Sequence, residues 1–349
     1  MDGTTMQAMV QTGAQSIEVR EMERPSIAAD QVLVRVHAAG LCGSDAHAYL
    51  YDGGYEWVAI PRIMGHEYAG TVAAVGEDVA DFEVGDAVVE EVVRNCGRCF
   101  QCRNGQANVC QSFSVKGMHR DGAYAEYTVA DTEKLHRVPS SVPLRHAALT
   151  EPLSIATRAV FSRADVSPAD TVLVEGPGPI GTFLAVVLAS TGARVLVSGL
   201  GSDAAYRLPL LDRMGIETVN LDERSLVESR DEVTDGVGFD VVFDATGHRS
   251  GLETAVEQVR KGGSIVVVGL PGGPSEVPVA GVVRNEVRID TSYGSNWRNF
   301  EQALQLLASG LLDPDEIIDD SPSIEDPEPA FEAFLAGQTC KPLFVFDAG

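Results

Sequence analysis

Residues 171–190 read TVLVEGPGPIGTFLAVVLAS, and this stretch decides the fold. The run TVLVE predicts a buried strand, and the apolar run that starts at Ile180 predicts a helix. Gly176, Gly178 and Gly181 form G-x-G-x-x-G directly after the strand and at the start of the helix, the setting that a dinucleotide-binding turn requires. The three glycines permit a tight turn, close approach of the backbone to a pyrophosphate, and close packing of helix on strand. An ordinary glycine-rich turn is the alternative to this prediction.

The sequence around this turn alternates between strands and helices. RVLVS (194–198), FDVVFDA (239–245) and SIVVVGL (264–270) predict further buried strands, with amphipathic segments between them. Such alternation predicts a parallel sheet covered by helices on both faces. The first 150 residues differ, because short strand patterns such as QVLVRV and YAEYTVA are separated by glycines. They predict an antiparallel, barrel-like domain, so the chain is an α/β protein of two domains.

The charge balance excludes some partners. The 349 residues contain 51 acidic and 26 basic side chains, for a net charge of −25, and only four lysines. Such a field repels nucleic acids and anionic membranes. No apolar run approaches the ~20 residues of a membrane span. The composition predicts a halophilic protein from a salt-rich cytoplasm such as that of haloarchaea, with an ordinary acidic cytosolic protein as the alternative.

Four cysteines lie within the run CGRCFQCRNGQANVC, residues 96–110. Thiolates at this spacing can wrap one tetrahedral zinc ion, and a site closed by four thiolates leaves no position for substrate. An iron–sulfur cluster is an alternative, but the fourth cysteine comes eight residues after the third and no proline follows it. A disulfide pair would require an oxidising compartment, and no apolar signal segment precedes MDGTTMQAMV. We therefore predict a structural zinc in a cytoplasmic protein.

A second group of metal-ligating side chains is scattered along the chain. Cys42 lies in LCGSDAH, His66 and Glu67 lie in MGHEYAG, and Glu151 lies in TEPLSIATR. One thiolate, one imidazole and one or two carboxylates can hold zinc and leave a position open for substrate oxygen. Taken singly, each has a simpler interpretation as a buried thiol, a core histidine or a surface charge.

Several motifs together carry a resemblance to a known family. The motifs that carry it are CGSDAH (42–47), GHEYAGTVAAVG (65–76), GDAV (85–88), the four-cysteine run, EPLSIA (151–156) and GPGPIG (176–181). They occur in the order of the zinc-dependent medium-chain dehydrogenases/reductases. The chain resembles this family, and most of all its polyol and threonine dehydrogenase branch. The resemblance implies a GroES-like β-barrel catalytic domain over 1–157 and 297–349, with a zinc lobe at about 94–112. It implies a Rossmann domain over 158–296.

The resemblance also implies roles for residues near the open metal site. Cys42, His66 and Glu151 would hold a catalytic zinc, and Glu67 would be a nearby or alternating ligand. Which glutamate ligates the resting ion stays open. Asp45 would orient the ligating histidine, and Ser44 and His47 would relay the substrate proton. The structural zinc would be held by Cys96, Cys99, Cys102 and Cys110, which makes two zinc ions per chain.

The cofactor type is left open by the sequence. An acidic residue normally ends the second strand of an NAD site, but here Gly199 stands at that position. Ser202 or Arg207 could reach a 2′-phosphate, whereas Asp203 favours NAD. The predicted contacts of NAD or NADP are Gly176, Gly178, Pro179, Ile180, Gly181, Gly199, Ser202, Arg207, Thr246, Val268 and Gly269.

The implied activity is oxidation of a secondary alcohol to the ketone by hydride transfer to NAD(P)+. The substrate is a small molecule, which would be a polyol, sugar, sugar acid or hydroxy amino acid, and the enzyme would be a homo-oligomer (tetramer or dimer). Candidates to line the substrate site are Tyr49, Tyr55, His119, Trp297 and Arg298. The alternatives are a zinc-free quinone or enoyl reductase, which typically lacks Cys42, His66 and Glu151, and a non-catalytic dinucleotide-binding zinc protein.

Overall fold

The computed structural model describes residues 4–52, 54–319 and 322–346. They form two compact units. The first unit contains the residues up to 154 together with 294–336 and those from 341 onward, and the second contains 155–293 and 337–340. Strands are numbered β1–β17 and helices α1–α11 along the chain. Within the described residues, no helix is both long and apolar enough to cross a membrane.

The first unit is built mainly from antiparallel sheets. Its six-stranded sheet has the order β10-β6-β5-β3-β17, with β9 also pairing with β3; a second sheet has the order β2-β1-β4, and β7 pairs with β8. The strands are β1 Thr5–Gly13, β2 Ser16–Glu23, β3 Gln31–Gly40, β4 Arg62–Ile63, β5 Glu67–Val75, β6 Ala87–Glu90, β7 Val93–Arg94, β8 Ser114–Val115, β9 Tyr127–Asp131, β10 Leu135–Arg137 and β17 Leu343–Val345.

Most helices in this unit are short. They are α1 Gly43–Leu50, α2 Phe100–Arg103, α3 Leu144–Ala147, α4 Thr150–Arg158, which continues into the second unit, α10 Trp297–Ser309 and α11 Glu328–Leu335. The core combines the buried faces of β1, β3 and β5 with aromatic side chains of the C-terminal segment, such as Phe331 and Phe344. β9 alternates between buried and half-buried residues, as a strand with one face on a core does, whereas β3 is buried along most of its length.

The second unit is a parallel sheet with the strand order β13-β12-β11-β14-β15-β16. Its strands are β11 Thr171–Glu175, β12 Arg194–Gly199, β13 Glu217–Asn220, β14 Phe239–Asp244, β15 Val259–Val267 and β16 Arg288–Thr291. Its helices are α5 Pro179–Ser190, α6 Arg207–Arg213, α7 Leu226–Thr234, α8 Arg249–Gln258 and α9 Val279–Arg284. The order reverses between β11 and β14, and a doubly wound sheet binds its ligand at the carboxyl ends of strands at such a point.

Candidate functional site

The pairing of β3 with β5 explains why Cys42 and His66 meet. Gly40 at the end of β3 lies opposite Glu67 at the start of β5. Cys42 follows β3 and occupies the N-terminal cap position of α1, while His66 immediately precedes β5. Two residues remote in sequence are therefore neighbours in space because the register of this antiparallel pair places them there.

Cys42, His66 and Glu67 present their ligand atoms to one another. The sulfur, the ring nitrogen and the carboxylate oxygen all lie within 4.8 Å. His66 and Glu67 are buried and Cys42 is half-buried. A thiolate, an imidazole and a carboxylate converging at this range form a donor set that suits zinc. The residues present therefore fit a catalytic metal.

Asp45 supports His66 from behind. Its carboxylate is fully buried, accepts hydrogen bonds from Tyr124 Oη at 2.9 Å and Cys42 N at 3.2 Å, and lies 3.4 Å from His66 Nδ1. Burial opposes the charged form of His66, but Asp45 and Cys42 outweigh it and raise its pKa well above the usual value. A carboxylate on one ring nitrogen leaves Nε2 to face a metal and sets the tautomer.

The two predicted carboxylate ligands have different surroundings. Glu67 is fully buried and paired with Lys341, whose Nζ lies 2.7 Å from Oε2. Glu151, on α4, lies outside the 4.8 Å group of ligand atoms found among the described residues. Burial, with a further contribution from Glu67, raises the pKa of Glu151 to about 7. This structure therefore gathers Glu67 with Cys42 and His66, and leaves Glu151 next to them.

Ser44 and His47 lie one turn apart on α1. Ser44 Oγ is 3.3 Å from His66 Nε2, so this hydroxyl borders the ligand group. The ring of His47 is exposed, and its Nδ1 lies 3.2 Å from Asp52 Oδ1. The hydroxyl of Ser44 therefore lies at the ligand group, whereas the imidazole of His47 faces solvent.

The four cysteines of the lobe also converge. The sulfur of Cys99 lies 3.4 Å from that of Cys102 and 3.8 Å from that of Cys110. These separations exceed the ~2 Å of a disulfide and match the ~3.8 Å edge of a tetrahedron with zinc–sulfur bonds of ~2.3 Å. Hydrogen bonds from backbone N–H groups, first that of Cys102, lower the pKa of Cys99 to about 6. The donor set fits zinc held by thiolates.

The glycine turn of the second unit leaves room for a phosphate. Gly176 has φ +93°, and a Cβ at Gly181 would lie 1.8 Å from the carbonyl oxygen of Gly176. Gly178 caps α5 without a side-chain hydrogen bond, and a Cβ there would meet nothing within 4 Å. Pro179 and Ile180 form the first turn of α5. Free N–H groups at a helix start, next to open space, fit a pyrophosphate.

The remaining predicted cofactor residues are also at carboxyl ends of strands. Val268 N and Gly269 N both donate to Asp244 O at 2.9 Å, and Thr246 Oγ1 donates to Asp244 Oδ1 at 2.7 Å. Ser202 is exposed in the loop after β12. Arg207 lies in the first turn of α6, with Nη1 3.6 Å from Asp203 Oδ1.

An exposed row of aromatic rings extends from His47. We call this the aromatic row. His47 stacks on Tyr55 with centroids 5.8 Å apart, and Tyr55 stacks on Trp57 at 6.4 Å. The ring of His119 is tilted against Trp57 at 4.4 Å and meets Phe113 edge-on at 5.5 Å. Other candidate substrate residues lie elsewhere: Tyr49 is buried against Phe331, Trp297 packs on His136, and Arg298 is exposed on α10.

Sequence reasoning missed three polar residues. Lys341 pairs with Glu67, Asp222 accepts a hydrogen bond from Gly201 N, and Glu175 is buried at the end of β11. Lys341 carries no local motif. Asp222 could have been noticed because it follows the third strand of the unit. Glu175 could have been noticed because a carboxylate in an apolar strand next to the glycine turn is unusual.

Profiles of two families match this sequence. That of the alcohol dehydrogenase GroES-like domain matches residues 28–140, and that of the zinc-binding dehydrogenases matches residues 179–309. A sorbitol dehydrogenase of Halalkalibacterium halodurans is 33% identical and spans 97% of this chain and 99% of its own length. An L-threonine 3-dehydrogenase of Pyrococcus abyssi is 33% identical over 95% of this chain and 96% of its own.

Solved structures agree in fold over nearly the whole chain. An alcohol dehydrogenase from Escherichia coli CFT073, crystallised with NADH, superposes with a TM-score of 0.90 at 32% identity and covers 99% of this chain and 100% of its own. A zinc-binding dehydrogenase from Sinorhizobium meliloti 1021, bound to NADP, superposes with a TM-score of 0.89 at 27% identity. The match covers 98% of this chain and 99% of that one. Neighbours of similar likeness therefore carry either dinucleotide.

Proposed function

This chain belongs to the zinc-type medium-chain dehydrogenases, and on that premise we propose that it oxidises a secondary alcohol of a polyol, sugar, sugar acid or hydroxy amino acid to the ketone. The observation that carries the proposal is the convergence of Cys42, His66 and Glu67 at the N-terminus of α1. A donor set of three protein groups leaves one coordination position open for a substrate oxygen. Catalysis requires such a position, whereas a structural zinc site has all four positions filled by the protein.

The chemistry divides between the bound groups and the chain. Zinc supplies Lewis acidity that favours the ionised alcohol, and the dinucleotide supplies the hydride acceptor. Asp45 holds the ring of His66 with Nε2 toward Cys42 and Ser44. Ser44 Oγ would take up the proton that the alcohol loses while giving up its own, and His47, exposed beside Asp52, would release a proton to solvent. Lys341 holds the carboxylate of Glu67 in place. Either Glu67 or Glu151 completes the ligand set in this proposal.

The lobe residues would hold a second zinc ion that takes no part in the reaction. Cys96, Cys99, Cys102 and Cys110 fill all four positions of a tetrahedron, so no substrate atom can bind there. The lobe's thiol–thiol distances support this reading. Two zinc ions per chain are therefore proposed.

The aromatic row favours polyols and sugars within the substrate range. The exposed rings of the row offer apolar surface to the C–H groups of a carbohydrate chain, and Trp57 is half exposed. Ser44 and His47 supply polar groups at one end of the row. A hydroxy amino acid would need a partner for its carboxylate, and Arg298 is the candidate that the sequence offers.

A direct experiment measures metal content and tests a panel of alcohols. Protein assayed for zinc is offered polyols, sugars, sugar acids and hydroxy amino acids with NAD+ and with NADP+ at high salt. We expect two zinc ions per chain and formation of reduced cofactor and ketone in equal amounts with at least one polyol or sugar. No reduction across the panel by protein carrying two zinc ions would contradict the proposal. One zinc or none, with reduction of quinones or enones, would instead favour the zinc-free reductase.

We also propose that the protein works in a salt-rich cytoplasm. Of the four lysines, Lys116, Lys134 and Lys341 are buried, and only Lys261 is exposed. The exposed charge is therefore dominated by carboxylates that repel one another at low ionic strength. Lysine is kept where an interior carboxylate needs a partner and is nearly missing from the surface.

A homo-oligomer is proposed from the outer end of the second unit. Among the described residues, β16 pairs with β15 on one side only. Leu270, Val279 and Val283 near it are 63%, 66% and 68% exposed. An open strand edge with apolar side chains beside it favours a second copy of the chain. Light scattering should give a dimer or tetramer, and Val283→Asp should weaken it; a monomer at assay concentration would contradict the proposal.

A further inference from the structure

The end of β12 cannot carry the acidic residue that an NAD site normally has there. A Cβ at Gly199 would lie 2.9 Å from Pro177 Cγ and 2.9 Å from Leu208 Cδ2. Pro177 belongs to the glycine turn, so the end of β12 packs against the ring of a turn residue. A side chain at this position would require Pro177 or Leu208 to shift, so the close approach favours glycine.

The neighbouring strand brings a carboxylate to the same loop. β13 runs parallel to β12 with Asn220 beside Gly199, and Leu221 N donates to Gly199 O at 2.9 Å. Two residues past the end of β13, Asp222 Oδ2 accepts a hydrogen bond from Gly201 N at 3.0 Å. Asn220 Oδ1 accepts from Asp222 N at 3.1 Å and fixes the turn. The end of β12 has no acidic residue, but Asp222, which follows β13, brings a carboxylate to the same loop.

The second oxygen of Asp222 remains available. Within the part of the chain that the structure describes, Oδ1 makes no hydrogen bond, and the side chain is exposed. A carboxylate with one oxygen held by the backbone and the other free can accept from a ribose hydroxyl without losing its anchor.

Two cations near this loop already have partners. Arg207 Nε donates to Thr339 O at 3.2 Å, and Nη1 lies 3.6 Å from Asp203 Oδ1. Arg224 is paired with Glu232. The loop therefore presents carboxylates without a committed cation for a phosphate. A 2′-phosphate placed beside Asp222 would meet like charge at short range, which costs binding energy.

We propose that Asp222 recognises the adenosine ribose and makes this enzyme prefer NAD over NADP. The inference rests on the proposed dinucleotide-dependent function, and it adds the choice of cofactor. Asp222 acts through the hydroxyl groups of the ribose: its free oxygen accepts from the 2′-hydroxyl, and the same charge repels a 2′-phosphate.

The test measures binding rather than turnover. The dissociation constants of NADH, NADPH, ADP-ribose and its 2′-phosphate are measured by fluorescence and calorimetry on the full chain, for the wild type and Asp222→Asn. We expect the wild type to bind NADH at least about tenfold more tightly than NADPH, because a charge-assisted hydrogen bond and a like-charge repulsion each contribute. Asp222→Asn keeps an oxygen for Gly201 N and should reduce this ratio to about threefold or less.

Glu223→Gln is the matched control, because it removes one charge from the adjacent exposed residue. It should leave the ratio within about twofold of the wild type. Equal binding of the two cofactors by the wild type, an unchanged ratio in Asp222→Asn, or the same change in Glu223→Gln would each overturn the inference. Preference for NADH and ADP-ribose without oxidation of any alcohol would leave the inference standing and contradict the proposed function instead.

Discussion

Lys341 Nζ lies 2.7 Å from Oε2 and 2.9 Å from Oε1 of Glu67, and it also donates to Leu41 O at 3.0 Å. Both side chains are about 1% exposed. Lys341 stands just before β17, which pairs with β3, whereas Glu67 begins β5 on the other side of β3. The C-terminal segment therefore supplies the counter-charge for a carboxylate of the candidate metal site.

Replacement of Lys341 by methionine should be strongly destabilising. The substitution leaves Glu67 buried without a partner, which costs about 3–5 kcal/mol in the free energy of unfolding. Denaturant unfolding in the presence of a chelator measures this loss. The double variant Lys341→Met/Glu67→Gln should recover much of it, because no charge is then left unpaired. Lys261→Met, at the exposed lysine, is the control and should change stability by less than about 0.5 kcal/mol. Equal effects of the two lysine substitutions would contradict the role of the pair.

Glu175 should make the protein less stable as the pH rises. It is 3% exposed, lies in register beside Asp244, and neither carboxyl oxygen has a hydrogen bond within the described residues. Burial, and then Asp244, raise the pKa of Glu175 to about 9. The folded state thus keeps a proton that the unfolded chain releases near pH 4.5, so this contribution is complete below that pH and is lost as the pH rises through about 9.

Glu175→Gln copies the protonated acid and should remove that dependence. We expect it to raise the free energy of unfolding by roughly 1–3 kcal/mol at pH 8, and by much less at pH 5. Thermal unfolding across this pH range measures the difference, and Asp235→Asn, at an exposed acid outside the sheet, is the control. A gain that is equal at both pH values would show that packing, rather than ionisation, explains the effect.

Substitutions in the two cysteine-bearing sites should separate chemistry from stability. Cys42→Ser or His66→Ala should abolish turnover while the protein still folds and binds NADH, because the open ligand group is lost. Cys99→Ser should lower the unfolding temperature and remove the other zinc. Metal content, NADH fluorescence and thermal unfolding measured together distinguish the two outcomes. Near-normal turnover in either of the first two variants would refute the assignment.

Salt should stabilise the protein over a wide range of concentration. With 51 acidic and 26 basic side chains, self-repulsion is strong when screening is weak. The unfolding temperature should rise between about 0.01 M and about 1 M KCl, the range over which the Debye length falls from about 30 Å to about 3 Å. A protein that is equally stable at both ends would be an ordinary acidic protein.

The second unit was largely predictable because its signals are local. The run TVLVE forms β11, RVLVS forms most of β12, and FDVVFDA forms β14, since buried parallel strands are nearly continuous apolar runs. The glycine turn lies between β11 and α5, where its spacing placed it. Here each motif and its structural partner are adjacent in sequence.

The metal site was less accessible to local reasoning. Cys42 and His66 approach one another through the register of β3 and β5, and only the resemblance to a family brought them together in advance. Lys341 could not be found, because its partner lies in a strand at the other end of the chain. The pairing of β17 with β3 decides that contact, and strand pairing across such a distance leaves no periodicity in the sequence.

The distribution of lysines has a practical consequence. Amine-directed reagents should modify one side chain, Lys261, and leave the three interior lysines untouched while the protein is folded. Coupling to an activated support through lysine would therefore attach the folded protein at one position. Labelling of a second lysine would report unfolding, so the number of modified lysines measures whether the protein is folded.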